Sequence, residues 1–318
     1  MNEFRIPLGD WAESFVDFVT DVFGGFFAVV RAIFLGFYDA VDFVFSAPPF
    51  WIVIPVIAAL AWWAKGVKLA LGTLVGLLVI VGVDQWPNAM DTLSLVLVAS
   101  TIAVIISVPL GILAARNDLA SKIIRPILDF MQTMPAFVYL IPALILFRVG
   151  VVPGIVATIV FAMAPGVRLT ELGIRGVDKE VVEAGHAFGA SPGRILRQIQ
   201  LPLALPSIMA GVNQVIMLSL SMVVIAGMVG AGGLGGEVVQ SLNRIDVGLG
   251  FEAGLSVVIL AIILDRVTGA FSAGSAAPRA RTKGAVVRGA GVRGEAAEAT
   301  SRAQLEENHA TRPTTIAS

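Results

Sequence analysis

Seven long apolar runs restrict this chain to a helical bundle embedded in a membrane. A helix needs about 20 mainly apolar residues to cross a hydrocarbon layer about 30 Å thick, because lipid offers backbone groups no hydrogen-bond partners. Of the 318 residues, 57% are hydrophobic and 14% are charged, which is far from the composition of soluble domains. We therefore predict an all-α transmembrane bundle with about seven spans, over residues 50–63, 69–83, 92–115, 127–147, 151–169, 203–229 and 253–267.

Composition also excludes several classes of function. The net charge of -1 provides no positive field for binding nucleic acid, so no nucleic-acid partner is expected. The chain has no cysteine and only two histidines, His186 and His309, which argues against thiol catalysis and Cys/His metal sites. It also lacks the GxxxxGK[ST] phosphate-binding motif. We therefore predict no catalytic residue, metal or cofactor, and any ATP-derived energy must come from another subunit.

Polar regions flank the apolar runs at both ends of the sequence. Residues 1–49 contain seven acidic residues and two arginines, which favours an external location. An amphipathic helix is predicted there from an apolar face at steps of three and four residues, formed by Trp11, Phe15, Phe18, Val22 and Phe26. Residues 50–271 form the predicted membrane domain. Residues 272–318 contain almost no large apolar side chains, which predicts a disordered cytoplasmic tail.

The distribution of basic residues predicts the orientation of the chain in the membrane. Loops that face the cytoplasm carry an excess of lysine and arginine. Three loops are rich in such residues, and they alternate with loops that contain few. The basic residues of the three loops are Lys65 and Lys68; Arg116, Lys122 and Arg125; and Arg168, Arg175, Lys179, Arg194 and Arg197. This alternation predicts a multi-pass protein with its N-terminus outside and its C-terminus in the cytoplasm.

A polar loop over residues 170–202 carries the strongest functional signal. Its apolar positions are spaced as in a helix, and Gly189 followed by Ser191 and Pro192 indicates a break and a restart. We predict one short helix, a break, and a second short helix that ends at Leu201 and Pro202. A short cytoplasmic helix of this kind suits docking into a groove of a soluble partner.

The residues of this loop resemble the EAA motif of ABC importer permeases. Glutamate, glycine, isoleucine, leucine and proline are all in register with that motif, although the family usually has alanine where Gly185 stands. The resemblance implies that the loop contains the coupling helix, which inserts into an ATPase subunit. The implied ATPase-coupling residues are Glu183, Ala184, Gly185, Gly189, Ala190, Pro192, Ile199, Leu201 and Pro202.

Four further segments resemble, more narrowly, the glycine betaine/proline betaine permeases. They are DFMQTMPAFVYLIPALILF, QLPLALPSIMAGVNQ, SMVVIAGMVGAGGLG and DVGLGFEAGL, and the resemblance extends over about residues 50–268. It implies the fold of a type I ABC importer permease and ATP-driven uptake of a quaternary-ammonium osmolyte across the inner membrane. The implied partners are two copies of an ATPase subunit, an external binding protein, a second copy of the permease and membrane lipid.

Two groups of residues are candidates for the translocation path: Met131, Met134, Phe137 and Tyr139 in the fourth run, and Asn213, Gln214 and Ser219 in the sixth. The alternative is ordinary helix packing, with the amides bonded across the bundle. Pro135, Pro142 and Pro206 are predicted to bend these helices.

Other functions remain open from the residues alone. The loop motif does not distinguish cargo, so an ABC permease for methionine or an alkylsulfonate is an alternative. An ion-coupled secondary transporter would need ionisable groups within the membrane, and the runs contain almost no acidic residue apart from Asp265. The segment from Gly230 to Gly235 matches GxGxxG, but it follows a membrane run. A loop with close backbone approach is expected there instead of a dinucleotide site.

Overall fold

The computed structural model describes residues 7–274, and every regular element in that range is helical. The predicted all-α fold is therefore confirmed. The helices are α1 (Leu8–Ser46), α2 (Phe50–Lys65), α3 (Val67–Gly82), α4 (Trp86–Arg116), α5 (Asp118–Thr133), α6 (Phe137–Phe147), α7 (Val151–Arg175), α8 (Lys179–Ala187), α9 (Pro192–Ile195), α10 (Leu201–Ser221), α11 (Val223–Gly227), α12 (Gly233–Arg244) and α13 (Val247–Gly274), with a π-helical turn at Leu196–Gln200.

The number of candidate spans differs from the seven predicted runs. Among the described residues, five helical segments are long and apolar enough to cross a membrane: Gly9–Ser46, Trp86–Arg116, Val151–Arg175, Pro192–Gly227 and Val247–Ala270. A sixth is obtained if α5 and α6 count as one bent span. Helices α2 and α3 have 16 residues each, which is short for a full crossing, and they pack against each other.

The predicted run over residues 127–147 is bent at Pro135, as expected from that proline. Helices α5 and α6 meet at an angle of 100°. The cause is local, because Met134 precedes Pro135 and takes the extended conformation (φ -72°, ψ 138°) that a following proline imposes. The hydroxyl of Tyr139 donates to the carbonyl of Met131 across the bend. Pro135 thus breaks the helix, whereas Pro142 and Pro206 lie inside α6 and α10.

Helix α7 lies at the centre of the bundle, between α4 and α10, and glycines permit this packing. A Cβ atom at Gly111 of α4 would lie 2.7 Å from the carbonyl oxygen of Val167, and one at Gly166 of α7 would lie 2.9 Å from Cβ of Ser107. Such distances are too short for any side chain, so the helix backbones approach one another directly. This packing fixes the second half of α7, which leads into the loop that resembles the EAA motif.

The segment from Gly230 to Gly235 makes the close backbone approach that the sequence predicts. Gly230 and Gly232 have φ values of 81° and 72°. A Cβ atom at Gly235 would overlap the carbonyl oxygen of Val223 and lie 2.7 Å from its carbonyl carbon. In the described part of the chain this segment joins two helices, and no strand precedes it as in a dinucleotide-binding unit.

Helix α1 is longer than the predicted amphipathic helix. It has 39 residues, which is about 58 Å at 1.5 Å per residue. Its second half contacts the bundle through Tyr38, which is 8% exposed, and through Arg31, whose Nε donates to the carbonyl of Phe147 at 3.0 Å. The predicted apolar face of its first half, which begins at Trp11, is exposed.

The predicted tail, residues 272–318, lies outside the described residues except at its start. Helix α13 runs to Gly274, so residues 272–274 are helical.

Candidate functional site

Helix α8 is defined by a cap at each end. At its start, Oδ1 of Asp178 accepts a hydrogen bond from the backbone N–H of Glu180 at 3.0 Å. At its end, the N–H of Gly189 donates to His186 O at 2.9 Å, and the N–H of Ala190 donates to Gly185 O at 3.1 Å. These two bonds form a Schellman motif, whose left-handed position is occupied by Gly189 with φ 75°. Glycine is favoured at position 189 because this backbone conformation strains other residues.

Gly185 brings the two halves of the loop motif into contact. It is the buried residue of α8, and a Cβ atom there would lie 2.9 Å from Cδ1 of Ile199 and 3.3 Å from Cγ1 of Ile195. Helix α8 therefore packs on the turn that precedes α10. Only a very small residue fits at position 185, which explains why the motif requires one.

Most of the surface of α8 is exposed, and the helix ends at an exposed aromatic ring. Glu183 and Ala184 are exposed, and Phe188 has 91% of its surface exposed. Phe188 was not among the predicted coupling residues. An apolar ring held on a capped polar helix is typical of a contact surface for another protein.

The structure corrects the bounds of the predicted loop. Helix α7 continues to Arg175, so only residues 176–178 connect it to α8. The prediction that a second helix ends at Leu201 and Pro202 is wrong, because the segment Pro192–Gly227 is one helical run. Pro202 has no N–H to donate, and the π-helical turn accommodates this defect, with Leu201 N–H donating to Leu196 O.

A charge ladder, defined here as three residues of α7 and three of α5, lies beside this loop. Glu171 is 3% exposed, and its Oε1 accepts from Nη2 of Arg125 at 2.9 Å and from Oγ of Ser121 at 2.7 Å. Nε of Arg175 lies 3.1 Å from the same oxygen. The pairs of the ladder are Arg168 with Asp129, Glu171 with Arg125, and Arg175 with Asp118.

Sequence reasoning missed this ladder. The sequence places Glu171 just after an apolar run and does not show that its side chain is buried. The available signal was the alternation of charge at steps of three and four residues in α7 and of seven and four residues in α5, which places one row of charges on each helix.

The predicted path residues fall into two groups. Met131, Met134 and Tyr139 are partly buried at the α5–α6 bend, and Phe137 is 51% exposed.

In the second group, on α10, Nδ2 of Asn213 donates to Oδ1 of Asp265 at 3.3 Å, and the hydroxyl of Thr268 donates to Asn213 Oδ1. Ser219 bonds within its own helix, and Gln214 is exposed. Asn213 and Ser219 thus have the partners expected from helix packing, and the path assignment stays a prediction.

Comparison with known proteins identifies the family. Residues 107–275 match the model of the binding-protein-dependent transport system inner membrane component. The glycine betaine/carnitine transport permease protein GbuB of Listeria monocytogenes is 51% identical over 271 residues, which cover 84% of this chain and 96% of that protein. The glycine betaine transport system permease protein OpuAB of Bacillus subtilis is 47% identical, with 83% and 94% covered.

Two further matches agree with this result. The glycine betaine/proline betaine permease ProW of Escherichia coli is 48% identical, with 83% of this chain and 74% of that protein covered. A chain of the inward-facing MetNI methionine ABC transporter shares the fold, with a TM-score of 0.55, 21% identity, and coverage of 59% of this chain and 94% of that one. This chain therefore belongs to the family of binding-protein-dependent inner membrane components, the permease subunits of ABC importers.

Proposed function

We propose that this chain is the permease subunit of an importer that carries glycine betaine, proline betaine or a similar quaternary-ammonium osmolyte. The observation that carries this proposal is the identity of 47–51% to three relatives over more than four fifths of the chain. Each of those relatives is named as a transport protein for glycine betaine. Uptake of such a solute serves osmoprotection.

Energy reaches this permease at α8 in our proposal. An ATPase subunit docks on the exposed side of α8, around Glu183, Ala184 and Phe188. The caps at Asp178 and Gly189 support this role, because they hold a short helix in one conformation before it meets its partner. Two ATPase copies, an external binding protein and a second copy of this chain complete the proposed importer. The acidic segment 1–49 is placed outside, and the tail 272–318 is placed in the cytoplasm.

Uptake by the reconstituted complex tests the proposed solute. We expect liposomes that hold this chain with its ATPase and binding protein to accumulate labelled glycine betaine only when ATP is present. Unlabelled proline betaine, choline or carnitine should compete more strongly than methionine, because a quaternary ammonium has no N–H to donate and is recognised by cation–π contacts. Accumulation driven by an ion gradient in the absence of the ATPase would contradict the proposal.

Thiol labelling tests the proposed orientation, and the chain is suited to it because it has no cysteine. We expect His186→Cys, on the exposed surface of α8, to be protected from a membrane-impermeant reagent in intact cells and labelled in inverted vesicles. Asp84→Cys, in the exposed turn between α3 and α4, is the matched control and should show the opposite pattern. Labelling of position 186 from outside would overturn the orientation.

A further inference from the structure

The charge ladder between α5 and α7 has complementary order on its two sides. Along α7 the signs are positive, negative and positive at Arg168, Glu171 and Arg175. Along α5, read in the opposite direction, the partners are negative, positive and negative. The six charges sum to zero, so the ladder offers no net charge to an ion or a lipid. Its role is to join two helices.

The order of charges permits one register between these helices. If α5 slid by one helical turn, Asp129 would move opposite Glu171 and two carboxylates would meet. A slip in the other direction would place Arg125 opposite Arg168 and bring two cations together. Like charges at such positions repel each other. The ladder therefore holds α5 in a fixed position along α7. The two helices move as one body unless the ladder breaks and they come apart.

Glu171 is the central member of this arrangement. Its carboxylate is buried and bonds to both Arg125 and Ser121 of α5. Arg175, which pairs with Glu171, also donates from Nη2 to Asp118 at 2.7 Å and to the carbonyl of Ala114 at 2.8 Å. The end of α4 is thus joined to the same cluster, and removal of Glu171 would leave two arginines without their shared partner.

Two short connections place the ladder between the loop and the bend. Only residues 176–178 separate α7 from α8, so a displacement of α8 acts directly on the ladder end of α7. At the other end of α5, residues 134–136 form the 100° bend into α6. We infer that the charge ladder is a positioning element that transmits movement of α8 through α5 to α6. This inference rests on the proposed docking of an ATPase at α8.

An exchange of the outer pair tests this inference with little risk to folding, because the side chains of Arg168 and Asp129 are 41% and 63% exposed. We expect R168D and D129R, each alone, to lower solute uptake per ATP hydrolysed about three- to fivefold, because each creates a like-charge contact. The double variant R168D/D129R should recover to within about twofold of the wild type. If each single substitution only damaged the fold, the second substitution would not restore uptake. Equal losses in the single and double variants would overturn the inference.

Glu171→Gln tests the central member with a second measurement. We expect about a tenfold loss of uptake per ATP, because a buried charge-assisted bond is removed. Spin labels at Ile123→Cys, on the exposed side of α5, and at Lys179→Cys of α8 should give one narrow distance distribution in the complex, with or without nucleotide. Glu171→Gln should broaden that distribution. An unchanged distribution would overturn the inference.

The distance measurement requires no solute, which separates the two proposals. If the wild-type complex failed to take up glycine betaine, the proposed solute would be wrong. The distributions in the Glu171→Gln and wild-type complexes would still decide whether the ladder fixes α5 relative to α8.

Discussion

Replacement of Gly185 with leucine should abolish ATP-driven uptake, whereas Gly185→Ala should retain most of it. The nearest atom to an added Cβ is Cδ1 of Ile199, the end of a flexible side chain, so a methyl group needs only a small shift. Leucine adds three further carbon atoms and forces α8 away from the turn before α10, at a cost of about 1–3 kcal/mol. Uptake and co-purification with the ATPase measure this effect.

A residue of the same loop provides the control for this prediction. Gly193 has no atom within 4 Å of an added Cβ, and it is exposed. Gly193→Leu therefore adds the same side chain without disturbing the packing of α8, and we expect uptake to persist. Wild-type uptake by Gly185→Leu would show that α8 does not need its contact with Ile199.

Gly235→Ala should produce the largest loss of stability among single-methyl additions to this chain. The added Cβ meets the backbone of Val223, which cannot rotate away as a side chain can. Gly227 packs against the same point, since a Cβ there would lie 2.6 Å from the nitrogen of Gly236. We expect destabilisation by about 3 kcal/mol or more, because α11 and α12 must separate. Thermal unfolding in detergent, followed by tryptophan fluorescence, measures it.

The neighbouring residue separates this steric effect from any general effect of alanine. Gly236 has no atom within 4 Å of an added Cβ and lies in α12. Gly236→Ala should leave stability unchanged or raise it by about 0.5–1 kcal/mol, as alanine favours a helix. Similar melting temperatures for the two variants would contradict the predicted close approach at Gly235.

The sequence predicts those features of this protein that depend on neighbouring residues. Apolar length predicts the long helices α4, α7 and α13. The break at Gly189 can also be predicted from neighbouring residues, because the Schellman cap involves residues within one turn. Pro135 signals a bend by its own chemistry, although its angle of 100° depends on tertiary packing. Helix α1 was identified only in part, because acidic residues along one side obscure its apolar length.

The features that the sequence does not reveal depend on distant pairs. Arg125 and Glu171 are 46 positions apart, and Arg175 and Asp118 are 57 apart. Their association requires the packing of α5 on α7, which no local pattern specifies. The contact of Gly185 with Ile199 is also tertiary, so the motif indicated a small residue without indicating what it touches. The EAA resemblance predicts which loop couples to an ATPase, and the structure supplies the contacts within that loop.

The π-helical turn at Leu196–Gln200 determines the direction in which α8 faces. Each residue of an α-helix advances the chain by about 100° around the axis. A π-helical turn holds about one residue more than an α-helical turn. It therefore rotates the residues that precede it about the helix axis, relative to α10. Deletion of one residue from this turn would preserve every side chain of α8 and still point Phe188 elsewhere. The direction in which the Phe188 ring points thus depends on the number of residues in the turn as well as on their identity.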